Sequence, residues 1–250
     1  MLNSETLFKD FLSDKKPLFI GDIHSRYLNL LTLLESFPKE EYFYIFLGDI
    51  NDSRLDDDQA SFNFVYQLIR NLCDQNLAVL VQSNHQKKII RFLEGKISIN
   101  QESEKTRPFL KTVESLEEKN LITIQREEAT LYARSSTQNE EVLKWFQDRP
   151  FYFKCFYGGV EYVAVHAYYS TSLKNPHLLN SKEKSLCIYG LMQKGERVKW
   201  WPHYQQKPFI VCGHYHTVFL SNYCAVVDSG CGEGGKLSAF SPYHEKILAF

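Results

Sequence analysis

Four short apolar runs in this chain each lead into a cluster of metal-ligating side chains, and that repetition limits the available folds more than any other feature. Pro17–Ile20 precedes Gly-Asp-Ile-His-Ser, Tyr42–Leu47 precedes Gly-Asp-Ile-Asn-Asp, Ala78–Val81 precedes the Ser-Asn-His-Gln segment, and Phe209–Cys212 precedes Gly-His-Tyr-His-Thr. A strand buried on both faces reads as a short unbroken apolar run, and ligands of α/β sheets collect beyond the carboxyl ends of such strands. The four segments are therefore expected to converge on one rim. They bring Asp22, His24, Asp49, Asp52, Asn84, His85, His214 and His216, and a fifth run, Tyr162–Val165, adds His166. Carboxylate, imidazole and amide together suit a divalent transition metal, whereas calcium or magnesium alone would favour more oxygen. The set is large enough for two ions if one carboxylate bridges them. Two ions roughly 3.5–4 Å apart clamp phosphoryl oxygens and lower the pKa of a bound water, so the expected reaction is phosphoester hydrolysis by metal-bound hydroxide. A single Gly-Asp after a strand is ordinary turn chemistry; four such segments and His166 together are hard to assign to turns.

Between the motifs the pattern alternates. Leu28, Leu31 and Leu34 fit a helix after the first motif, Phe62, Phe64, Val65, Leu68 and Leu72 mark a second within Ala60–Asn76, and Gln86–Leu93 continues the third motif as a helix. Such alternation builds a parallel sheet covered by helices. Residues 96–150 form a charged stretch with Phe109, Leu110, Val113 and Leu116, then Val142, Leu143, Trp145 and Phe146, at helical spacing. This stretch is expected as a helical insert or cap that shapes access to the site. From Phe151 onward strands dominate: Phe151–Tyr157, Tyr162–His166, Phe209–Cys212, Val218–Asp228, Lys236–Phe240 and Lys246–Phe250, with Gly158-Gly159 as a hairpin turn. The expected fold class is α/β: two sheets packed face to face with helices outside (αββα), and residues 1–250 forming one domain. Near the start, Ser4 could cap a helix with Leu7, Phe8, Phe11 and Leu12 on one stripe.

Composition excludes several functions. The net charge is −1 among 29 basic and 30 acidic residues, so no global field draws the chain to nucleic acid or anionic lipid. Lys194, Arg197 and Lys199 form the best local basic strip, and Asp56–Asp58 an acidic one; both read as solvated faces. No apolar run approaches the roughly 20 residues needed to span a bilayer. Six cysteines without a CxxC pair, and no secretory signal ahead of them, point to reduced thiols in the cytoplasm. Cys231, in the Asp228–Gly235 turn, is read as a small buried residue. Tyr168, Tyr169, Trp200, Trp201, His203 and Tyr204 are expected mainly to pack, the other reading being a wall for a nucleobase or peptide side chain.

The ordered motifs resemble those of the calcineurin-like metallophosphoesterases: GDxH, GDxxD, GNH(E/D), a lone His and GHxH. Ser83–Gly95 and Val226–Phe240 are similar to the bacterial branch holding bis(5′-nucleosyl)-tetraphosphatases and the phosphatase module of polynucleotide kinase-phosphatase, a branch near the phosphoprotein phosphatases. The resemblance implies that Asp22, His24 and His216 hold a first metal, that Asn84, His166 and His214 hold a second, and that Asp49 bridges them. It implies His85 as donor of a proton to the leaving group, oriented by Asp52, a division consistent with imidazole chemistry. It implies two divalent ions, drawn from manganese, iron, zinc or cobalt, with manganese the first to use in vitro.

This chain departs from the family pattern at several places. Ser25 and Ser83 stand where the family has Gly, and both are expected to accept a conformation that Gly takes freely. Ser53 stands where the related phosphoprotein phosphatases carry a phosphate-gripping Arg, leaving that role to Arg54, to Arg26 or to neither. Gln86 replaces an acidic residue and Tyr168 a Gly, while a second imidazole at His216 resembles nuclease and phosphodiesterase members. The expected substrate is a phosphomonoester, a phosphoprotein or a nucleotide. Alternatives are a dinucleoside polyphosphate or phosphodiester and, more remotely, a binding scaffold without turnover.

Overall fold

The computed structural model describes residues 15–55, 61–173 and 178–250. The chain first alternates through β1 (Lys16–Ile20), α1 (Tyr27–Ser36), β2 (Tyr42–Phe46), α2 (Phe62–Asp74), β3 (Ala78–Leu80) and α3 (Asn84–Leu93). Then come β4 (Ile99–Asn100), α4 (Arg107–Glu118), β5 (Ile124–Glu127), β6 (Thr130–Ala133) and α5 (Thr137–Gln147). The remainder is mostly strand. It contains β7 (Tyr152–Tyr157), β8 (Val160–Val165), α6 (Ser181–Tyr189), β9 (Met192–Gln193), β10 (Glu196–Arg197), β11 (Phe209–Cys212), β12 (Val218–Leu220), β13 (Cys224–Val227), β14 (Ser238–Ser241) and β15 (Lys246–Ala249).

Two five-stranded sheets result, ordered β15-β14-β1-β2-β3 and β12-β13-β11-β8-β7. In the first, parallel β1, β2 and β3 reach one edge and antiparallel β14 and β15 complete the other side; in the second, parallel β8, β11 and β13 are flanked by antiparallel β7 and β12. The unbroken apolar runs follow from burial on both faces. Along β1, Phe19 enters the layer between the sheets while Leu18 and Ile20 face the helices. Along β11, Val211 enters the same layer and Ile210 and Cys212 face the opposite outer core. The mixed α/β architecture with helices outside two packed sheets is the expected fold class. Gly158 and Gly159, with φ of 57° and 79°, make the tight turn of the β7–β8 hairpin.

Two readings change. Val218–Asp228 is not one strand: Ser221 Oγ accepts hydrogen bonds from the Tyr223 and Cys224 amides, both at 3.2 Å, turning the chain back so that β12 and β13 pair antiparallel. Residues 96–150 hold the two expected helices but also a three-stranded sheet, β4-β6-β5. Its strands are too short for a clear period, and only Ile99 and Leu131 in them are deeply buried. Both join Phe109, Val113, Leu116, Val142 and Phe146 in the same core as Leu18 and Ile20. The segment thus extends the outer layer of the first sheet. The Ser4 helix and the Asp56–Asp58 cluster lie outside the described residues.

Because Phe146 is fully buried in that shared core, Phe146→Ala is expected to lower unfolding stability by about 3–5 kcal/mol. Urea titration followed by circular dichroism should show one earlier transition, with no separate unfolding of residues 96–150.

Candidate metal centre

The ends of β1, β2, β8 and β11 and the start of α3 deliver the motif side chains to one small cavity of about 70 Å³. Asp22, His24, Asp49, Asn84, His85 and His214 line it. The turns that aim them are conformationally costly. His24, Ser25, Asp49, Asp52, His214 and His216 all have left-handed backbone, with φ between 42° and 73°, a placement that the surrounding structure must impose. Gly213 permits a close approach to a ligand: a Cβ there would lie 2.0 Å from Asp22 Oδ1.

The two serines in glycine places behave differently. Ser25 does take the left-handed conformation, at φ 64°. Ser83 does not; at φ −137° it is extended backbone open to any residue. It caps α3 instead, its Oγ accepting from the Gln86 amide at 3.4 Å and from the Asp49 amide at 3.0 Å, while its hydroxyl bonds the Gln86 side chain. A serine here therefore ties the third motif to the second.

Two groups of potential ligand atoms share Asp49. Asp22, His24 and Asp49 form one, and Asp49, His166 and His214 the other, with the atoms of each group within 4.8 Å of one another. His166 donates from Nδ1 to the Leu47 carbonyl at 2.9 Å, which leaves the Nε2 lone pair facing inward. That lone pair lies 2.8 Å from Asn84 Oδ1 and 3.4 Å from Asp49 Oδ2. His24 is fixed in the same way, by Nδ1 donation to the Asn51 carbonyl at 2.9 Å. His166 Nε2 also lies 2.9 Å from His214 Nδ1, so a cation bound here would meet several donor atoms at once.

Electrostatics lead to the same requirement. Burial, then the nearby carboxylates of Asp228 and Asp49, hold Asp22 well above the usual carboxylate range. Burial also opposes ionisation of Asp49, but His166, His85 and His24 outweigh it and hold Asp49 well below that range. The His214 imidazole is kept neutral, its pKa pushed down to about 2 by burial and by His166; neutral imidazole is the form that ligates. Asp22 Oδ1 and His214 Nε2 are buried without a hydrogen-bond partner. The donor set thus fits two divalent cations sharing Asp49, with nitrogen and oxygen ligands suited to transition metals.

Beside this set, His85 Nδ1 donates to Asp52 Oδ2 at 2.8 Å, leaving Nε2 3.8 Å from Asp49 Oδ2. Asp52 is itself held by Asn51 Nδ2 and by Thr112 Oγ1, each at 2.8 Å. His216 lines the cavity but lies outside both ligand groups, its Nδ1 3.7 Å from Glu233 Oε2. Of the two arginine candidates, Arg54 lines the cavity and contacts Glu233, whereas Arg26 is buried close enough to Cys231 to act on its thiol and does not line it. Cys231 is a core thiol, pushed up to about 12 by burial. Trp200 and Trp201 are likewise core, with Tyr168 and Tyr204 packed against the same cluster.

Sequence reasoning missed several participants. Asp228 accepts from the His216 amide at 2.7 Å and from the Gly230 amide at 3.0 Å. It carries the signal of the first two motifs, an aspartate ending a buried run, hidden because β12 and β13 were read as one strand. Arg197 lines the cavity although the basic strip containing it read as a solvated face. Thr112, from the segment read as a helical insert or cap, had no sequence signal.

A family model described as calcineurin-like phosphoesterase matches residues 15–235. The chain belongs to the calcineurin-like phosphoesterase family. It is therefore a metal-dependent phosphoesterase, a hydrolase. Solved structures similar to it include one described as a putative diadenosine tetraphosphatase (15% identity, TM-score 0.61, covering 96% of this chain and 94% of that one). Others are hypothetical protein PH1004 of Pyrococcus horikoshii OT3 (15%, 0.52, 94% and 86%) and a Saccharomyces cerevisiae protein serine/threonine phosphatase with similarity to human phosphatase PP5 (14%, 0.56, 96% and 80%). At such identities these three bear on the fold alone. No curated protein matches by sequence.

Gly213→Ala tests the packing of this phosphoesterase's centre: the methyl would displace Asp22, so bound manganese measured by elemental analysis should fall below that of the unaltered protein while circular dichroism stays native. Ser83→Ala should cost about 1 kcal/mol through the lost cap, read by thermal unfolding.

Proposed function

We propose that this phosphoesterase hydrolyses phosphomonoesters of proteins or nucleotides. The observation that carries the reading is the His85–Asp52 pair, hydrogen-bonded at 2.8 Å and set beside the carboxylate common to both ligand groups. Asp22 and His24 would hold one ion with His216 at its rim, Asn84, His166 and His214 the other, and Asp49 both. When bound, the ions supply Lewis-acid activation of the phosphoryl group and of a water. Manganese is the first metal to test.

The chain's own residues do the rest. Asp52 fixes His85 with Nδ1 protonated and directs Nε2 toward the centre, where it gives its proton to the leaving oxygen as the ester bond breaks. Arg54 and Arg197, lining the same cavity, neutralise charge on the phosphoryl oxygens in the transition state. Residues 96–150 contribute by holding Asp52 through Thr112. The whole of residues 1–250 is read as one domain, cytoplasmic, with its cysteines as thiols; no helix among the described residues is long and apolar enough to cross a membrane. Retention of the complete donor set and the proton-donating pair argues against a scaffold without turnover.

Hydrolysis of p-nitrophenyl phosphate with manganese tests the assignment. Asp49→Asn and His85→Ala should each reduce kcat by about 10²-fold or more, and activity indifferent to both would refute it. The pH profile tests the pairing. Burial disfavours protonated His85, but the Asp49 and Asp52 carboxylates outweigh it and raise its pKa. A raised value keeps the donor protonated to higher pH, so activity falls on the alkaline side as that proton is lost. Asp52→Asn removes one raising charge and should move the alkaline limb of kcat to lower pH; an unmoved limb would separate Asp52 from His85.

A further inference from the structure

The ladder between β8 and β11 ends at Ala164 and Val211, and one further bond, from the Gly213 amide to the His166 carbonyl at 3.0 Å, carries the two strands to the histidines of the second ligand group. Past it, no backbone hydrogen bond among the described residues joins the two loops. His214 has left-handed backbone at φ 73°, a conformation it keeps only where its surroundings impose it. One side chain reaches both loops. Trp200 Nε1 donates to the Ala167 carbonyl, next to His166, and to the Tyr215 hydroxyl, next to His214, each at 3.2 Å. The indole is itself held in place: it is buried, and the rings of Tyr168, Trp201 and Tyr204 meet it edge to face with centroids 5.4, 6.2 and 5.6 Å away. Tyr215 passes the restraint inward, its ring edge-on to the His214 imidazole at 5.2 Å. Gly190, at the end of α6, leaves room for this arrangement, since a Cβ there would lie 2.4 Å from the Tyr215 hydroxyl oxygen.

We propose that Trp200 is a positioning residue for the second ion: its one indole N–H, shared between the Ala167 carbonyl and the Tyr215 hydroxyl, sets the spacing of His166 and His214. The inference rests on the reading above in which these two histidines hold the same ion. A donor shared by two acceptors fixes how far apart they can lie, and a ligand set keeps its affinity only if its members are held to within about 0.5 Å. Trp200 touches neither imidazole, so it acts through the neighbours of both. The aromatic cluster is then neither mere filler nor a wall for a substrate. Tyr168, which stands in a Gly place of the family pattern, supplies one of the three rings that orient the indole. The first ligand group, Asp22 and His24 with Asp49, has no part in this arrangement, so the restraint is specific to one ion of the pair.

Calorimetric titration of the full chain with manganese alone tests this without turnover. His166→Ala identifies which binding step belongs to the second ion. Replacing Trp200 by 3-benzothienylalanine keeps the shape of the ring and removes only the N–H; the second ion is expected to bind about 10-fold more weakly, with the first ion's affinity and the thermal unfolding of the metal-free protein unchanged. Tyr215→Phe, which leaves the Ala167 bond intact, should weaken the same step by less. A second-ion affinity unmoved by the isostere, or both ions weakened equally, would overturn the role of Trp200 while leaving the ligand assignment in place. A His166→Ala protein that still binds two ions with unaltered affinities would overturn that assignment and the role of Trp200 with it.

Discussion

A buried carboxylate can stay ionised only where positive charge surrounds it, and Asp49 is the point at which this fold meets that demand. Its oxygens face His24, His85 and His166, and it belongs to both groups of potential ligand atoms. Asp22, by contrast, sits against Asp228 and Asp49 without comparable support. One carboxylate is thus satisfied by imidazoles and the other is not, an imbalance that a pair of cations would remove. The demand explains why side chains from five separated loops are held so rigidly: the energetic cost of charges in a dry cavity is tolerable only with near-fixed partners.

That rigidity comes from the sheets. The parallel strands are buried on both faces, so their ends hardly move, and the turns beyond them adopt left-handed backbone at six non-glycine positions of the site. Strain of this kind persists only where packing over-determines it. Ser83 illustrates the alternative, an unstrained residue that secures position by hydrogen bonds to Asp49 and Gln86. The same logic reaches into residues 96–150, where Thr112 both donates to and accepts from Asp52. A segment without a motif of its own therefore orients the proton donor.

The amino-acid sequence announced the convergence of these loops because each motif closely follows a short unbroken apolar run, the pattern of a strand buried on both faces. Helix positions were legible where Val65 or Phe109 recur at helical spacing, although Leu28 and Phe64, read into such stripes, are exposed, and Leu30 and Leu33 carry the buried face of α1 instead. Short strands were not: β4, β5 and β6 place few residues in the core, and β12 turns back at Ser221 without glycine or proline. Asp228 was lost with that turn. Contacts between distant segments, such as Thr112 with Asp52, depend on how α4 packs against the second-motif loop, and nothing local encodes them. Ser83 marks the opposite limit, since a family pattern suggested a backbone demand that the chain does not make.

Electron paramagnetic resonance of the protein titrated with manganese tests the shared carboxylate most directly. The account predicts two ions per chain with an exchange-coupled spectrum, and a collapse of that coupling in Asp49→Asn. Saturation at a single ion, or two ions whose spectra are those of isolated manganese, would contradict it.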